Sequence, residues 1–178
     1  MTVEERLKSL LRDVPDFPRP GILFKDTTPL LAVPEARRMV IESIAQQYAH
    51  QRIDAVAGIE ARGFIFGTLL AQHLNVPFVP VRKAGKLPFR TLSESYALEY
   101  GEATLEMHID GVQPGWKVLI HDDLLATGGT AAAAGRLISR LRGDIAGFSF
   151  VINLGFLPGE NNLKQAFGVN PSYLLSFN

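Results

Sequence analysis

The chain has 178 residues, no cysteine, and 18 acidic and 18 basic side chains, so its formal net charge is zero. This composition excludes disulfides and thiol chemistry and gives no electrostatic reason to expect a nucleic acid or a membrane surface as partner. The N-terminal segment lacks the basic and apolar regions of a signal peptide. We therefore expect one cytoplasmic domain that spans residues 1–178.

The predicted elements alternate between helix and strand after an amphipathic first helix at about residues 2–12. Residues 13–33 are rich in proline and apolar side chains, which predicts an irregular segment that packs on the rest of the chain. Helices are predicted at 34–52, 63–74 and 130–142, and strands at 53–59, 76–82, 116–125 and 145–154. This alternation indicates an α/β fold with a mostly parallel central sheet flanked by helices.

The segment between the third and fourth predicted helices differs from the rest. Residues 83–95 are polar, basic and rich in helix and strand breakers, which predicts a mobile loop. Residues 96–100 and 103–109 alternate in polarity on either side of Gly101, which predicts a hairpin.

Two adjacent carboxylates, the acidic pair Asp122 and Asp123, follow the apolar residues 118–120 of a predicted central strand. Residues 126–130, the glycine turn, then open the next helix, where unpaired backbone N–H groups suit a phosphate. Carboxylates suit the hydroxyl groups of a sugar, so the stretch predicts a site for ribose 5-phosphate. The alternative is a solvated acidic pair before a helix that Thr127 or Thr130 caps.

The stretch "VLIHDDLLATGGTA" (118–131) resembles the phosphoribosyl pyrophosphate (PRPP) motif of the type I phosphoribosyltransferases. Four further stretches, "PDFPRPGILFKDTTPLL", "GIEARGFIFG", "VRKAGKLP" and "SYALEYGEATLEMH", resemble the adenine phosphoribosyltransferases in that family's order. The resemblance implies the type I phosphoribosyltransferase fold, with a small N-terminal hood over the purine (about 13–33) and a flexible lid (about 83–100). It also implies a Mg²⁺-dependent reaction of adenine with PRPP that gives AMP and pyrophosphate. The family is usually homodimeric, and exposed apolar residues around the hood would suit an interface.

The resemblance also implies a role for individual residues, and a cis peptide bond between Glu60 and Ala61 in the pyrophosphate loop. The implied catalytic residues are Glu99, Arg62 and Tyr100. The implied PRPP and AMP ligands are Asp122, Asp123, Ala126, Thr127, Gly128, Gly129 and Thr130. The implied pyrophosphate ligands are Glu60, Ala61, Arg62, Arg82, Lys83 and Lys86. The implied adenine contacts are Leu23, Phe24, Lys25 and Leu124, with Mg²⁺ held mainly through PRPP, pyrophosphate and water rather than by protein ligands.

Plainer interpretations exist for several of these residues. Arg62 could be a surface arginine paired with Glu60, the cations at 82–86 a solvated basic loop, and Glu99 an exposed strand residue. His121 stands where the family motif is usually aliphatic, and we interpret it as a packed histidine.

Two other functions also fit the PRPP motif. One is a phosphoribosyltransferase for guanine, hypoxanthine or xanthine. The other is a regulatory domain that binds PRPP without turnover, although such proteins usually carry a DNA-binding element and none is visible here.

Overall fold

The structure is a computed structural model that describes residues 1–98 and 101–178. In its N-terminal half the elements are α1 (Val3–Leu10), β1 (Arg12–Pro15), β2 (Leu23–Asp26), α2 (Thr28–Ala32), α3 (Pro34–Gln47), β3 (Ala55–Ile59), α4 (Gly63–Leu74) and β4 (Phe78–Lys83). The remaining elements are β5 (Thr91–Ala97), β6 (Glu102–His108), β7 (Lys117–Leu125), α5 (Gly129–Arg140), β8 (Asp144–Leu154), α6 (Gly159–Phe167) and β9 (Ser172–Phe177). Within these ranges no helix has the length and hydrophobicity needed to cross a membrane.

Seven strands form the central sheet in the order β5-β6-β4-β3-β7-β8-β9. The strands from β4 to β9 in this order run parallel to one another, whereas β6 and β5 are antiparallel additions at one edge. The expected α/β fold with a mostly parallel sheet is confirmed. A separate two-stranded antiparallel sheet joins β1 to β2.

Helices cover both faces of the large sheet, because its inner strands are apolar on both sides. One core cluster packs α5 and α6 against the sheet through residues such as Leu137 and Leu163. The other packs α1, α3 and α4 against the opposite face through residues such as Leu7, Val40 and Leu70.

The structure departs from the predicted elements in three places. Residues 13–26, predicted as irregular, form the β1–β2 hairpin together with Arg12, which was predicted to end the first helix; the two strands pair from Arg12 opposite Asp26 to Pro15 opposite Leu23. Residues 91–95, predicted as part of a mobile loop, belong to β5, whose residues pair one by one with β6. The C-terminal residues, for which no element was predicted, form α6 and the edge strand β9.

Candidate active site

The candidate site lies where the order of the parallel strands reverses. From β3 the chain crosses to β4 on one side, and it later returns to place β7 on the other side of β3. The loop after β3 and the end of β7 therefore meet at the carboxyl edge of the sheet, where ligands bind in open α/β folds. Gly63, at the start of α4, is needed for this approach: a Cβ there would lie 2.8 Å from the carbonyl oxygen of His121 and 3.0 Å from Oδ1 of Asp122.

The acidic pair lies within β7, at its sixth and seventh residues, because β8 pairs with this strand through Leu125. Asp122 lines a cavity together with the glycine turn. Its Oδ1 accepts a 2.8 Å hydrogen bond from the backbone N–H of Asp123. Burial, reinforced by the negative charge of Asp123, raises the pKa of Asp122 well above its ordinary value.

Asp123 is almost fully buried and forms an ion pair with Arg62, with Nε and Oδ2 2.5 Å apart. The guanidinium of Arg62 also lies 5.3 Å from the centre of the Phe24 ring of β2. Arg62 therefore connects the loop after β3, the end of β7 and the N-terminal hairpin. A buried carboxylate without such a partner would be costly, so the pair stabilises the site while no substrate is bound.

Glu60 does not pair with Arg62, so the interpretation of Arg62 as a surface arginine paired with Glu60 is wrong. Glu60 instead accepts a 2.8 Å hydrogen bond from Nη2 of Arg82 and a 2.9 Å bond from the backbone N–H of Lys83. The Arg82 hydrogen bond holds the pKa of Glu60 below its ordinary value. The Glu60–Ala61 peptide bond is cis, as the family resemblance implied.

The three cations predicted for pyrophosphate have different surroundings. Arg82 is engaged by Glu60 and also donates to the carbonyl of Lys86, at 3.2 Å, so it ties the end of β4 to the loop that follows. The side chains of Lys83 and Lys86 are exposed at the same edge of the sheet. These two lysines are the ones available to an incoming anion, whereas Arg82 holds the loops that carry them.

The glycine turn wraps the N-terminus of α5 beside a cavity of about 80 Å³. Gly128 has φ +81°, a left-handed conformation that favours glycine. The helix has no side-chain cap, so the alternative of a helix capped by Thr127 or Thr130 is wrong. The first backbone N–H groups of α5 are therefore free of side-chain acceptors, which is the arrangement that binds phosphate at helix N-termini.

Two residues of α6 support the glycine turn, and sequence reasoning missed both. Nδ2 of Asn162 donates a 2.9 Å hydrogen bond to the carbonyl of Thr127. The carbonyl of Gly159 lies so close to Gly128 that a Cβ on Gly128 would sit 3.1 Å from it. Nothing local in the sequence around 159–162 points to the turn, because the contact joins residues about 35 positions apart.

The predicted adenine contacts lie on two elements. Leu23 is 52% exposed, and the Phe24 ring packs edge-on against Phe17 at 5.2 Å. Lys25 is mostly covered, because its Nζ lies 2.7 Å from Asp13 and 4.4 Å from the centre of the Phe177 ring. Leu124 lies on β7 and lines the cavity beside the glycine turn.

His121 is fully buried in β7, with Nδ1 3.4 Å from the hydroxyl of Ser149. The interpretation of a packed histidine is confirmed. Burial lowers its pKa to about 4, which keeps the ring neutral.

Two of the predicted catalytic residues, Glu99 and Tyr100, lie outside the described residues, and their roles stay predictions. The pairing of β5 with β6 confirms a hairpin on either side of Gly101, but its first strand begins at Thr91 rather than at residue 96. Among the described residues of the predicted lid at 83–100, residues 84–90 form the loop between β4 and β5, and residues 91–97 belong to β5.

A metal centre built from protein ligands is not evident in the part of the chain that is described, where no three His, Cys, Asp or Glu side chains cluster. Asp122 of the acidic pair lines the same cavity as the glycine turn. Carboxylates of this kind suit a hydrated Mg²⁺ that is bound mainly by phosphate groups.

Comparisons with known proteins agree with this geometry. Residues 27–153 match the family model described as phosphoribosyl transferase domain. The chain is 56% identical over 162 residues to an adenine phosphoribosyltransferase of Sorangium cellulosum, covering 91% of this chain and 81% of that one. The crystal structure of adenine phosphoribosyltransferase from Rhodothermus marinus has 52% sequence identity and a TM-score of 0.93, with 98% of each chain covered.

A more distant enzyme was solved with ligands. The Saccharomyces cerevisiae adenine phosphoribosyltransferase, complexed with an imino-altritol bisphosphate and adenine, has 38% identity and a TM-score of 0.90, covering 97% of this chain and 98% of that one. From its sequence and its fold, this chain belongs to the adenine phosphoribosyltransferase family.

Proposed function

We propose that this protein transfers the 5-phosphoribosyl group of PRPP to adenine, giving AMP and pyrophosphate in purine salvage. The observation that carries the proposal is the junction of the acidic pair, the uncapped glycine turn and the Arg62 loop at one edge of the sheet. Relatives that are 54–56% identical to this chain over 155–162 residues are adenine phosphoribosyltransferases. The whole chain, 1–178, acts in this proposal as one domain.

In the reaction the bond between C1 of the ribose and pyrophosphate breaks, and N9 of adenine bonds to C1 and loses its proton. The glycine turn would bind the 5-phosphate, and the acidic pair would bind the ribose hydroxyls and lend negative potential near the positive charge at C1. Because Nε of Arg62 is paired with Oδ2 of Asp123 in the free protein, we expect substrate binding to alter that contact. Arg62 is then free to bind pyrophosphate through its planar guanidinium.

The remaining roles follow from charge and position. Lys83 and Lys86 would neutralise the leaving pyrophosphate, while Glu60 and Arg82 hold the loops in place. Mg²⁺, when bound with PRPP, supplies further neutralisation of the leaving group. We keep the prediction that Glu99 and Tyr100 approach the reacting atoms and that the lid excludes water.

The hood is proposed to cover the purine. The backbone of β2 at Leu23 and Lys25 can pair with the amino group and a ring nitrogen of adenine, while Leu23, Phe24 and Leu124 provide apolar contact. The ring of Phe24 is already held between Phe17 and Arg62, so this part of the hood is preorganised.

A homodimer is also proposed. Apolar side chains of the hood, such as Phe17 and Leu23, and of α4, such as Ile65 and Leu69, are 38–52% exposed, which suits an interface between two copies. Analytical ultracentrifugation at micromolar concentration would detect it, and a single species at the mass of one chain would refute it. A cytoplasmic location remains a proposal, which fits the absence of cysteine.

The decisive test is an assay with radiolabelled adenine, PRPP and Mg²⁺, run beside hypoxanthine, guanine and xanthine. We expect AMP from adenine and no product from the other bases. Turnover of a different base would keep the mechanism but refute the assignment of the hood. PRPP binding without turnover of any base would place the protein among the PRPP-sensing domains instead.

A further inference from the structure

The β5–β6 hairpin lies along α5, the helix whose N-terminus carries the glycine turn. The two strands pair over their whole length, from Thr91 opposite His108 to Ala97 opposite Glu102. β5 is the edge strand of the sheet, and within the described residues β6 is the strand that pairs with it. Because β5 is joined to the sheet from one side, its contact with α5 also helps to set its position.

Glu94, in the middle of β5, is bound by two arginines of α5. Its Oε1 lies 2.6 Å from Nε of Arg136, and its Oε2 lies 3.0 Å from Nη1 of Arg140. The same nitrogen of Arg140 donates a 2.6 Å hydrogen bond to the carbonyl of Ser93. We call Glu94, Arg136 and Arg140 the Glu94 cluster.

The two arginines are four residues apart, so they project from the same side of the helix on successive turns. Both oxygens of the carboxylate are used, and the side chain of Glu94 is only 19% exposed. The hydrogen bond from Arg136 lowers the pKa of Glu94 from its ordinary value, so the carboxylate is charged at neutral pH. These features distinguish the cluster from an ordinary solvated surface pair.

The direction of β5 connects the cluster to the substrate site. Ser93 and Glu94 lie against the C-terminal half of α5, whereas Tyr96 and Ala97 lie against its first residue, Gly129. A Cβ on Gly129 would be 3.4 Å from the ring of Tyr96 and 3.8 Å from the carbonyl of Ala97. The strand therefore brings the chain, three residues after Glu94, to the glycine turn.

We propose that Glu94 is a positioning residue for PRPP: through Arg136 and Arg140 it fixes the lid hairpin along the phosphate-binding helix, so that the end of the hairpin lies over the glycine turn. The proposal rests on the proposed function, because it assumes that the glycine turn binds the 5-phosphate. Its expected signature is a change in PRPP binding that leaves adenine binding and folding largely unchanged.

The first test is Glu94→Gln, which keeps the shape and removes the charge. We expect the KM and the directly measured Kd for PRPP to rise about tenfold, as for the loss of a hydrogen bond to a charged group, while the KM for adenine at saturating PRPP changes less than about twofold. Tm is expected to stay nearly constant, because the arginines are half-exposed.

The partner variants sharpen the test. Arg136→Met is expected to reproduce the PRPP defect, Arg136→Lys to restore part of the affinity, and the double variant with Glu94→Gln to be no worse than the single ones. Arg142→Met is the matched control, because Arg142 lies just beyond the end of α5 and takes no part in the cluster.

Three outcomes would overturn the proposal: an unchanged PRPP affinity in Glu94→Gln, a fall in Tm as the only effect, or additive effects in the double variant. The Kd for PRPP is measured by calorimetry in the absence of any base, so this measurement does not depend on turnover. If no base is turned over but Glu94→Gln still raises the Kd for PRPP as expected, the proposed reaction is refuted and the role of Glu94 is not.

Discussion

Arg62 and Asp123 form an ion pair in the candidate site of the free protein. Asp123 is buried and would otherwise carry an unpaired charge, so the ion pair is a structural requirement of the free protein. Arg62 is proposed to bind the pyrophosphate of PRPP, and Asp123 is proposed to bind its ribose hydroxyls. PRPP binding is then expected to alter their ion pair, so the effects of substituting the two residues on the PRPP affinity should not be additive.

His121 provides a test of burial at the scale of one residue. Its pKa is lowered by burial to about 4, from an ordinary value of 6.5. Below pH 6.5 the unfolded chain binds a proton that the folded chain does not bind until about pH 4. The contribution of neutral His121 to the free energy of unfolding is therefore fully present above pH 6.5. It is lost at about 1.4 kcal/mol per pH unit as the pH falls towards 4.

We predict that His121→Val removes this loss, because valine suits a buried strand and has no charge to acquire. Relative to the original protein, the free energy of unfolding of the variant should improve by about 2 kcal/mol between pH 7.5 and pH 5. Urea denaturation at the two pH values measures it, with the exposed His50→Gln as control. An identical difference at both pH values would contradict the prediction.

At the scale of elements, the phosphate site depends on the contact between the turn before α5 and the start of α6. Asn162 binds the carbonyl of Thr127, and the carbonyl of Gly159 lies against Gly128. The turn is therefore enclosed by α6 on one side, and an added side chain has no room there. This makes Gly128 sensitive for two separable reasons, its backbone conformation and its surroundings.

We predict that Gly128→Ala raises the Kd for PRPP about tenfold, since it displaces the turn from Gly159. Gly115→Ala is the matched control, because Gly115 has the same φ of +81° but nothing within 4 Å of a Cβ. Both variants should lose about 1 kcal/mol of stability through backbone strain. Equal PRPP affinities in the two variants would show that the glycine turn is not the phosphate site.

At the scale of the whole molecule, the two ends of the chain meet beside the hood. The ring of Phe177 in β9 lies 4.4 Å from Nζ of Lys25 in β2 and 5.5 Å from Nζ of Lys8 in α1. The β1–β2 sheet has two strands, so it needs such packing to keep one position. The C-terminal strand therefore supports the segment that is proposed to cover adenine.

We predict that Phe177→Ala raises the KM for adenine about two- to fivefold, the equivalent of one lost cation–π contact, and leaves PRPP binding unchanged. The measurement is a pair of initial-rate titrations, one for each substrate. Phe156→Ala is the control, because that ring is 66% exposed. A parallel rise in the KM for PRPP would mean that the strand supports the whole site rather than the hood.

Elements with a local sequence pattern could be predicted before the structure was known. The helix at 63–74 and the strand at 116–125 were predicted within one residue, because the spacing of their apolar side chains follows from the helical turn and the strand pleat. The acidic pair and the glycine turn were likewise visible, since their residue types stand side by side along the chain.

The three-dimensional structure was needed to show which distant residues are in contact. It paired Arg62 with Asp123 rather than Glu60, converted 12–26 into a hairpin, and placed α6 behind the glycine turn. Pairing across tens of residues depends on strand order and register, which one-dimensional patterns do not contain. The residue types of the site could therefore be recognised in the sequence, whereas the distant residues that hold them in place were seen only in the folded structure.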